Sequence, residues 1–242
     1  MKKKVLCKDQ RNDLVSKLTN LFKGVEAEEI DDAVEEAKRK VSIEISEERK
    51  RELGELFDSQ VEILKSRGCP KAILESFQDK RDEVLNKAAE MEIPEGNIPF
   101  IPVIPRSYMT IYGLMPMVRN DEKVGYTYLD PNELSDVVET PDKPYFMFNV
   151  EDGRDMLGKS PEKAEKLIKK KERSCLTDNE GIALCIQSDV LLSHNVDCTG
   201  SRYGQDDRVP SVYLHGGRPR LRSLDLDSSH GSWGSASCEE RS

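Results

Sequence analysis

Long apolar runs are missing from this 242-residue chain, and so is any close cysteine pair. No stretch approaches the roughly 20 apolar residues of a bilayer-spanning helix, so no membrane insertion is expected. The six cysteines (Cys7, Cys69, Cys175, Cys185, Cys198 and Cys238) are far apart and form no CxxC, which points to reduced thiols rather than a disulfide framework. After the three lysines at the start, only Val5 and Leu6 are apolar before charge resumes, which is too short for a secretory or lipoprotein leader. Cys238 is fifth from the end, whereas a prenylation box needs the fourth. A cytoplasmic protein is the expectation. Histidine is also scarce: His194, His215 and His230 are the whole supply, so any imidazole chemistry must use the last quarter of the chain.

Charge is what the chain has in quantity. Charged residues make up 34% of it, the net charge is −9, and the mean hydropathy is −0.64. That balance argues against broad nucleic-acid or anionic-membrane binding, while leaving room for a local basic patch. With 36% hydrophobic residues the chain can bury one ordinary core, with room for a second small unit.

The charge is concentrated early. Residues 1–92 hold 19 basic and 22 acidic residues with almost no glycine or aromatic residues, in a helical period. Leu14, Leu18, Leu21 and Phe22 form one stripe, ended by Gly24; Ile30, Val34 and Ala37 form a second. A third, opened by Ser46 and closed by Gly68, carries Leu53, Leu56, Phe57, Gln60, Val61 and Leu64. Pro70 opens a fourth with Ile73, Leu74, Phe77, Val84, Leu85 and Ala88. The pattern predicts a helical arm or bundle with solvated outer faces, or a surface for a protein partner or for self-association.

At Ile93 the composition changes, with prolines at 94, 99, 102 and 105 among Ile, Phe and Val. Residues 93–242 are therefore expected to form a separate α+β core of short strands and two capped helices, its first segment extended or at a sheet edge. Residues 109–118 suggest a short helix interrupted near Pro116, 125–129 a strand, and Asp130-Pro131 a capped turn. Tyr145 to Val150 reads as a strand buried on both faces, stopped by Glu151-Asp152-Gly153. Ser160-Pro161 then starts a helix, with the Ser160 hydroxyl as cap and Ala164, Leu167 and Ile168 facing inward. Thr177 and Glu180 form a capping box ahead of a second buried helix. Gly216-Gly217 joins two strands as a hairpin, the second pushed toward an edge by Pro219.

The strings NIPFIPVIPRSY, GYTYLDP, PYFMFNVEDG, LTDNEGIAL, TGSRY and GSWGSASC resemble, in this order, a prokaryotic family defined only as a domain of unknown function. The resemblance covers about residues 97–238 and implies a single-family core; it brings no activity and no site residues.

Several clusters have the right chemistry for a site. His194, Asp197, Cys198, His215, Asp225 and Asp227 carry metal-ligating groups, although their spacing matches no known zinc pattern, and polar loop residues that cap turns are the plainer reading. Cys198 or Cys238 with His194 or His230 would make a thiol nucleophile and its base, unless the cysteines only fill space. Arg218, Arg220 and Arg222 alternate along a strand and so share one face, with Arg202 close in sequence: an anion seat, or a solvated edge protected by self-repulsion. Three apparent motifs are set aside. Ser160 to Lys163 matches SxxK without its partner motifs, and His215-Gly216-Gly217 has no GxSxG elbow. Glu151, Asp152 and Asp155 are acidic turn residues of a common kind. The first expectation is a non-enzymatic protein that binds a partner or a small anion. The alternative is a hydrolase-like enzyme built on the carboxy-terminal Cys/His/Asp set, with or without a metal, and no cofactor is assigned.

Overall fold

The structure, a computed structural model, describes residues 27–242, with side chains from 34 to 38 and from 47 onward. The first predicted stripe and Cys7 lie outside the described residues. The chain divides into two compact units, residues 1–49 and 50–242. Helix α1 (Ala27–Ser66) starts in the first and, from Lys50 on, belongs to the other. Ser46 lies within α1 rather than opening a new helix, because no glycine or proline interrupts good helix formers between Ala27 and Leu53.

In the larger unit α1 is followed by α2 (Lys71–Gln78) and α3 (Arg81–Glu90), so the segment after Pro70 breaks into two helices at Asp79-Lys80. All three cover a three-stranded antiparallel sheet in the order β1 (Ile98–Val103), β6 (Tyr145–Val150), β14 (Glu240–Arg241). Every residue of the central β6 is buried, as its apolar run predicts. The prolines of β1 are accommodated because β1 is an edge strand. Phe146 stacks on Phe57 of α1 at 5.5 Å and meets Phe77 of α2 and Phe100 of β1 edge-on at 5.3 and 6.0 Å. The composition change at Ile93 thus falls inside one core rather than between two. The charges of residues 50–92 occupy the outer faces of helices whose inner faces, from Leu53 to Ala88, are buried with the strands.

A five-stranded sheet in the order β12 (Trp233–Ser235), β8 (Asn195–Asp197), β10 (Val209–His215), β11 (Arg218–Leu224), β4 (Tyr126–Thr127) forms the second layer. Gly216 and Gly217, with φ of 58° and 76°, make the expected two-residue turn between β10 and β11. β11 is not the edge, however. β4 pairs with it in parallel at Arg220 and Leu221, and Pro219 falls just outside that stretch, where its missing N–H costs nothing. Two-stranded pairs complete the strands: β2 (Arg119–Asn120) with β3 (Lys123–Val124), β5 (Leu134–Asp136) with β9 (Ser201–Tyr203), and β7 (Ser174–Cys175) with β13 (Ser237–Cys238).

Helix α4 (Ile111–Leu114) runs into a single 3-10 turn at Pro116, as its sequence predicts, and Asp130 caps the turn at Pro131 by accepting from the Asn132 N–H at 2.9 Å. In α5 (Pro161–Lys170) the prediction holds only in part. Ser160 is the N-cap residue, but its hydroxyl makes no capping bond, and Leu167 is 38% exposed while Ala164 and Ile168 are buried. Helix α6 (Asp178–Gln187) has the full Thr177/Glu180 capping box and is buried from Asp178 through Ile186; the short α7 (Val190–Ser193) follows it. α6 lies against both β1 and β10. Gly181 permits this, since a Cβ there would come within 2.2 Å of Cys198 Sγ.

Glu180 ties these layers together. Its fully buried carboxylate accepts from the Thr177 N–H at 2.8 Å, from the Tyr145 hydroxyl at 2.8 Å, and from Arg241 Nε and Nη2 at 2.6 and 2.9 Å. Arg241 also donates to Ser174 Oγ and to the Cys175 carbonyl.

Two outcomes follow from this packing. A chain beginning at Lys50 is expected to keep one cooperative thermal transition, whereas a chain beginning at Pro94 loses it, because Phe57 and Phe77 leave Phe146 uncovered; circular dichroism melting distinguishes the two. Arg241→Met is expected to cost about 3–5 kcal/mol in urea unfolding, since it strands a buried carboxylate; a cost below about 1 kcal/mol would show that Glu180 finds other partners.

Candidate anion site

Strand register places one continuous row of side chains on the face of the five-stranded sheet opposite α6, a face that is buried toward β8 and β12 and open toward β4. Tyr126 of β4 is opposite Arg220 of β11, and Arg220 is opposite Tyr213 of β10. The next row on the same face holds Arg222, Ser211 of β10, Asp197 of β8 and Ser235 of β12. The intervening residues Val196, Val212 and Leu221 point into the core. Alternation therefore puts Arg218, Arg220 and Arg222 together, as the sequence suggests.

Each guanidinium lies over aromatic rings. Arg218 is 4.3 Å from the centroid of Tyr126, and Arg220 is 5.7 and 5.5 Å from Tyr126 and Tyr128. Arg222 is 4.9 and 5.0 Å from Tyr213 and Trp233. The ring quadrupole offsets part of the mutual repulsion of the three cations. Their hydrogen bonding is sparse: Arg218 Nε donates to the Val124 carbonyl at 2.6 Å and Arg220 Nη1 to the Tyr213 hydroxyl at 3.3 Å. Nε of Arg220 and of Arg222, and Ser235 Oγ on β12, have no partner among the described residues. Sequence reasoning does not single out these rings. Tyr126 and Tyr128 alternate visibly in GYTYLDP, but the parallel pairing of β4 with β11 is non-local and has no local sequence signal.

Asp197, buried at 1% exposure, is the one carboxylate of this row; it accepts from Ser211 Oγ at 2.7 Å. Burial pushes its pKa up to about 7, against the Ser211 hydrogen bond and the Arg222 charge, which lower it.

The other candidate site residues go elsewhere. Arg202 is not part of the arginine face: Nη2 binds Glu165 of α5 at 2.7 Å and Nη1 donates to the carbonyls of Thr199 and Ser201. His194 is buried, with Nε2 3.1 Å from the Asp152 carbonyl oxygen and 3.8 Å from its carboxylate. Burial acts to raise the Asp152 pKa, but hydrogen bonds from Arg154 outweigh it and hold the group low. His215 is exposed beside the hairpin turn at 6.0 Å from Tyr213, and His230 is exposed at 6.3 Å from Trp233. Asp225 pairs with Arg208 at 3.3 Å, and Asp227 is exposed.

Among the described residues no three His, Cys, Asp or Glu side chains are placed to hold a metal ion. The metal set read from the sequence is corrected accordingly: His194, Asp197 and Cys198 sit in and beside β8, His215 ends β10, and Asp225 and Asp227 follow β11, so the groups are dispersed. The nucleophile set is corrected too. Cys198 is sealed against Gly181, and Cys238 is paired in β13 opposite Ser174. Both are fully buried; burial pushes the Cys198 thiol well up and the Cys238 thiol up to about 12, so neither is a thiolate near neutrality.

Residues 60–242 match the family of unknown function DUF5701, well over half of the chain. The chain belongs to this family. No curated protein and no solved structure matches it. The DUF5701 match takes in the end of α1, from Gln60 to Ser66, with α2 and α3, and so begins earlier than the motif series that starts at Asn97.

Asp197 gives a test of the electrostatics of the face. Because its folded pKa lies above the usual carboxylate value, the folded protein keeps a proton that the unfolded chain has released. Stability is therefore lost as pH rises from about 4 to about 7. Asp197→Asn, which can still accept from Ser211, is expected to gain on wild type by on the order of 4 kcal/mol between pH 4 and pH 8. Urea unfolding at the two pH values measures this; a constant difference between the proteins would place the Asp197 pKa back in the ordinary range.

Proposed function

We propose that this protein is a non-enzymatic binding protein whose five-stranded sheet seats a phosphate- or sulfate-like anion across Arg218, Arg220 and Arg222. One observation carries the reading: in a chain of net charge −9, three guanidiniums share one sheet face and, among the described residues, none has a carboxylate oxygen within 4.0 Å. Each guanidinium has five N–H donors and uses few of them here, so an oxyanion would both fill them and relieve the repulsion between neighbours. A reducing, cytoplasmic setting belongs to the same reading, on the strength of five buried free cysteines. The charged segment of residues 1–49 is assigned, from its sequence, to association with a partner or a second copy.

The test is thermal unfolding in phosphate or sulfate against chloride at matched ionic strength. Oxyanions are expected to raise the midpoint of the wild type more than chloride does, and Arg220→Ala is expected to reduce that difference. General salting-out acts on both proteins alike. Equal responses would leave the arginines as a solvated face and remove the anion site.

A further inference from the structure

We infer that the arginine face takes a single-stranded nucleic-acid segment, phosphates on the guanidiniums and bases against the exposed rings beside them. This rests on the anion site proposed above and names its ligand class. The first ground is the repeat. Arg218, Arg220 and Arg222 are two residues apart along β11, about 6.8 Å per step for an antiparallel strand, so the cations form a line and do not converge on one point. A line of cations suits a chain of anions better than one small ion.

The second ground is the rings. Tyr128 is 79% exposed and packs edge-on against Tyr126 at 5.4 Å, directly beside Arg220. His215 is exposed at the far end of the same face next to Tyr213. Guanidinium and ring thus alternate across the sheet, the pairing of backbone charge with stacking surface that single strands need. The third ground is openness: Arg218 and Tyr128 are exposed on a sheet surface and Arg220 and Arg222 are half-buried beside them, whereas a mononucleotide site encloses most of its ligand. The net charge of −9 repels any polyanion at long range, which disfavours a duplex whose bases are stacked away; an unpaired strand gains from stacking, which net charge does not weaken.

The experiment is fluorescence anisotropy on the full chain with a short labelled oligothymidylate, its duplex with oligoadenylate, and inorganic polyphosphate of matched charge as ringless competitor. The single strand is expected to bind best, with a log–log salt slope of about −2, from three phosphate contacts at about 0.7 each. Tyr128→Ala, at an exposed position that does not disturb folding, is expected to weaken strand binding about fivefold or more and leave polyphosphate competition unchanged. Arg220→Gln is expected to weaken both about tenfold, and Lys163→Ala on α5 neither. If polyphosphate competes as well as the unlabelled strand and Tyr128→Ala has no effect, the face reads charge alone: the nucleic-acid inference falls and the anion site stands. The nucleic-acid inference also falls, and the anion site also stands, if no strand binds while phosphate still stabilises the protein. Strand binding that survives Arg220→Gln, or a preference for the duplex, overturns the inference directly. Absence of both strand binding and phosphate stabilisation removes both readings.

Discussion

A carboxylate buried at zero exposure is the constraint around which the larger unit is built. Glu180 is accommodated there because Thr177, Tyr145 and Arg241 all donate to it and because it lies in the first turn of α6, whose helix dipole favours an acidic side chain. Those donors come from the cap of the buried helix, the central strand of one sheet and the last strand of the chain. Satisfying one charge therefore fixes the relative placement of β6, β14 and α6. Since α6 also backs β10, the arginine face is held in position by a helix whose own cap depends on Arg241.

A second buried acid at the same helix end works in a different balance. Asp178 accepts from Arg106 and from Ser201 Oγ at 3.1 Å, with Asp136 sharing both donors. Burial raises its pKa even so, against the Arg106 charge. Two acids at the start of one helix are thus held by two arginines distant in sequence. Among the described residues no carboxylate oxygen lies within 4.0 Å of the β11 arginines, although Asp197 shares the row of Arg222, and the difference separates cations bound into the fold from cations left over.

The residues with the strongest intrinsic reactivity are used for packing. Cys198 fills the space that the absent side chain of Gly181 leaves between β8 and α6, and Cys238 closes the core beside Glu180. A thiol in such surroundings is a small apolar group. The three histidines, close along the chain, are separated by strand alternation and by a hairpin: His194 is buried against Asp152, while His215 and His230 are exposed.

The features legible in the amino-acid pattern are local. The all-buried strand at Tyr145, the Thr177 capping box, the two-glycine turn and the shared face of Arg218, Arg220 and Arg222 all follow from spacing and backbone chemistry within about ten residues. Which surfaces meet was settled only by the folded chain. It placed Phe57 and Phe77 on Phe146, so that the charged helices from Lys50 onward belong to the core and not to an arm, because a helix face shows its apolar stripe but not what covers it. It laid β4 beside β11 and brought Tyr126 and Tyr128 to the arginines, and it paired Arg202 with Glu165 and Arg241 with Glu180. Pairings between residues tens of positions apart depend on the net balance of burial and desolvation over the whole chain, and no local pattern of residues encodes that balance.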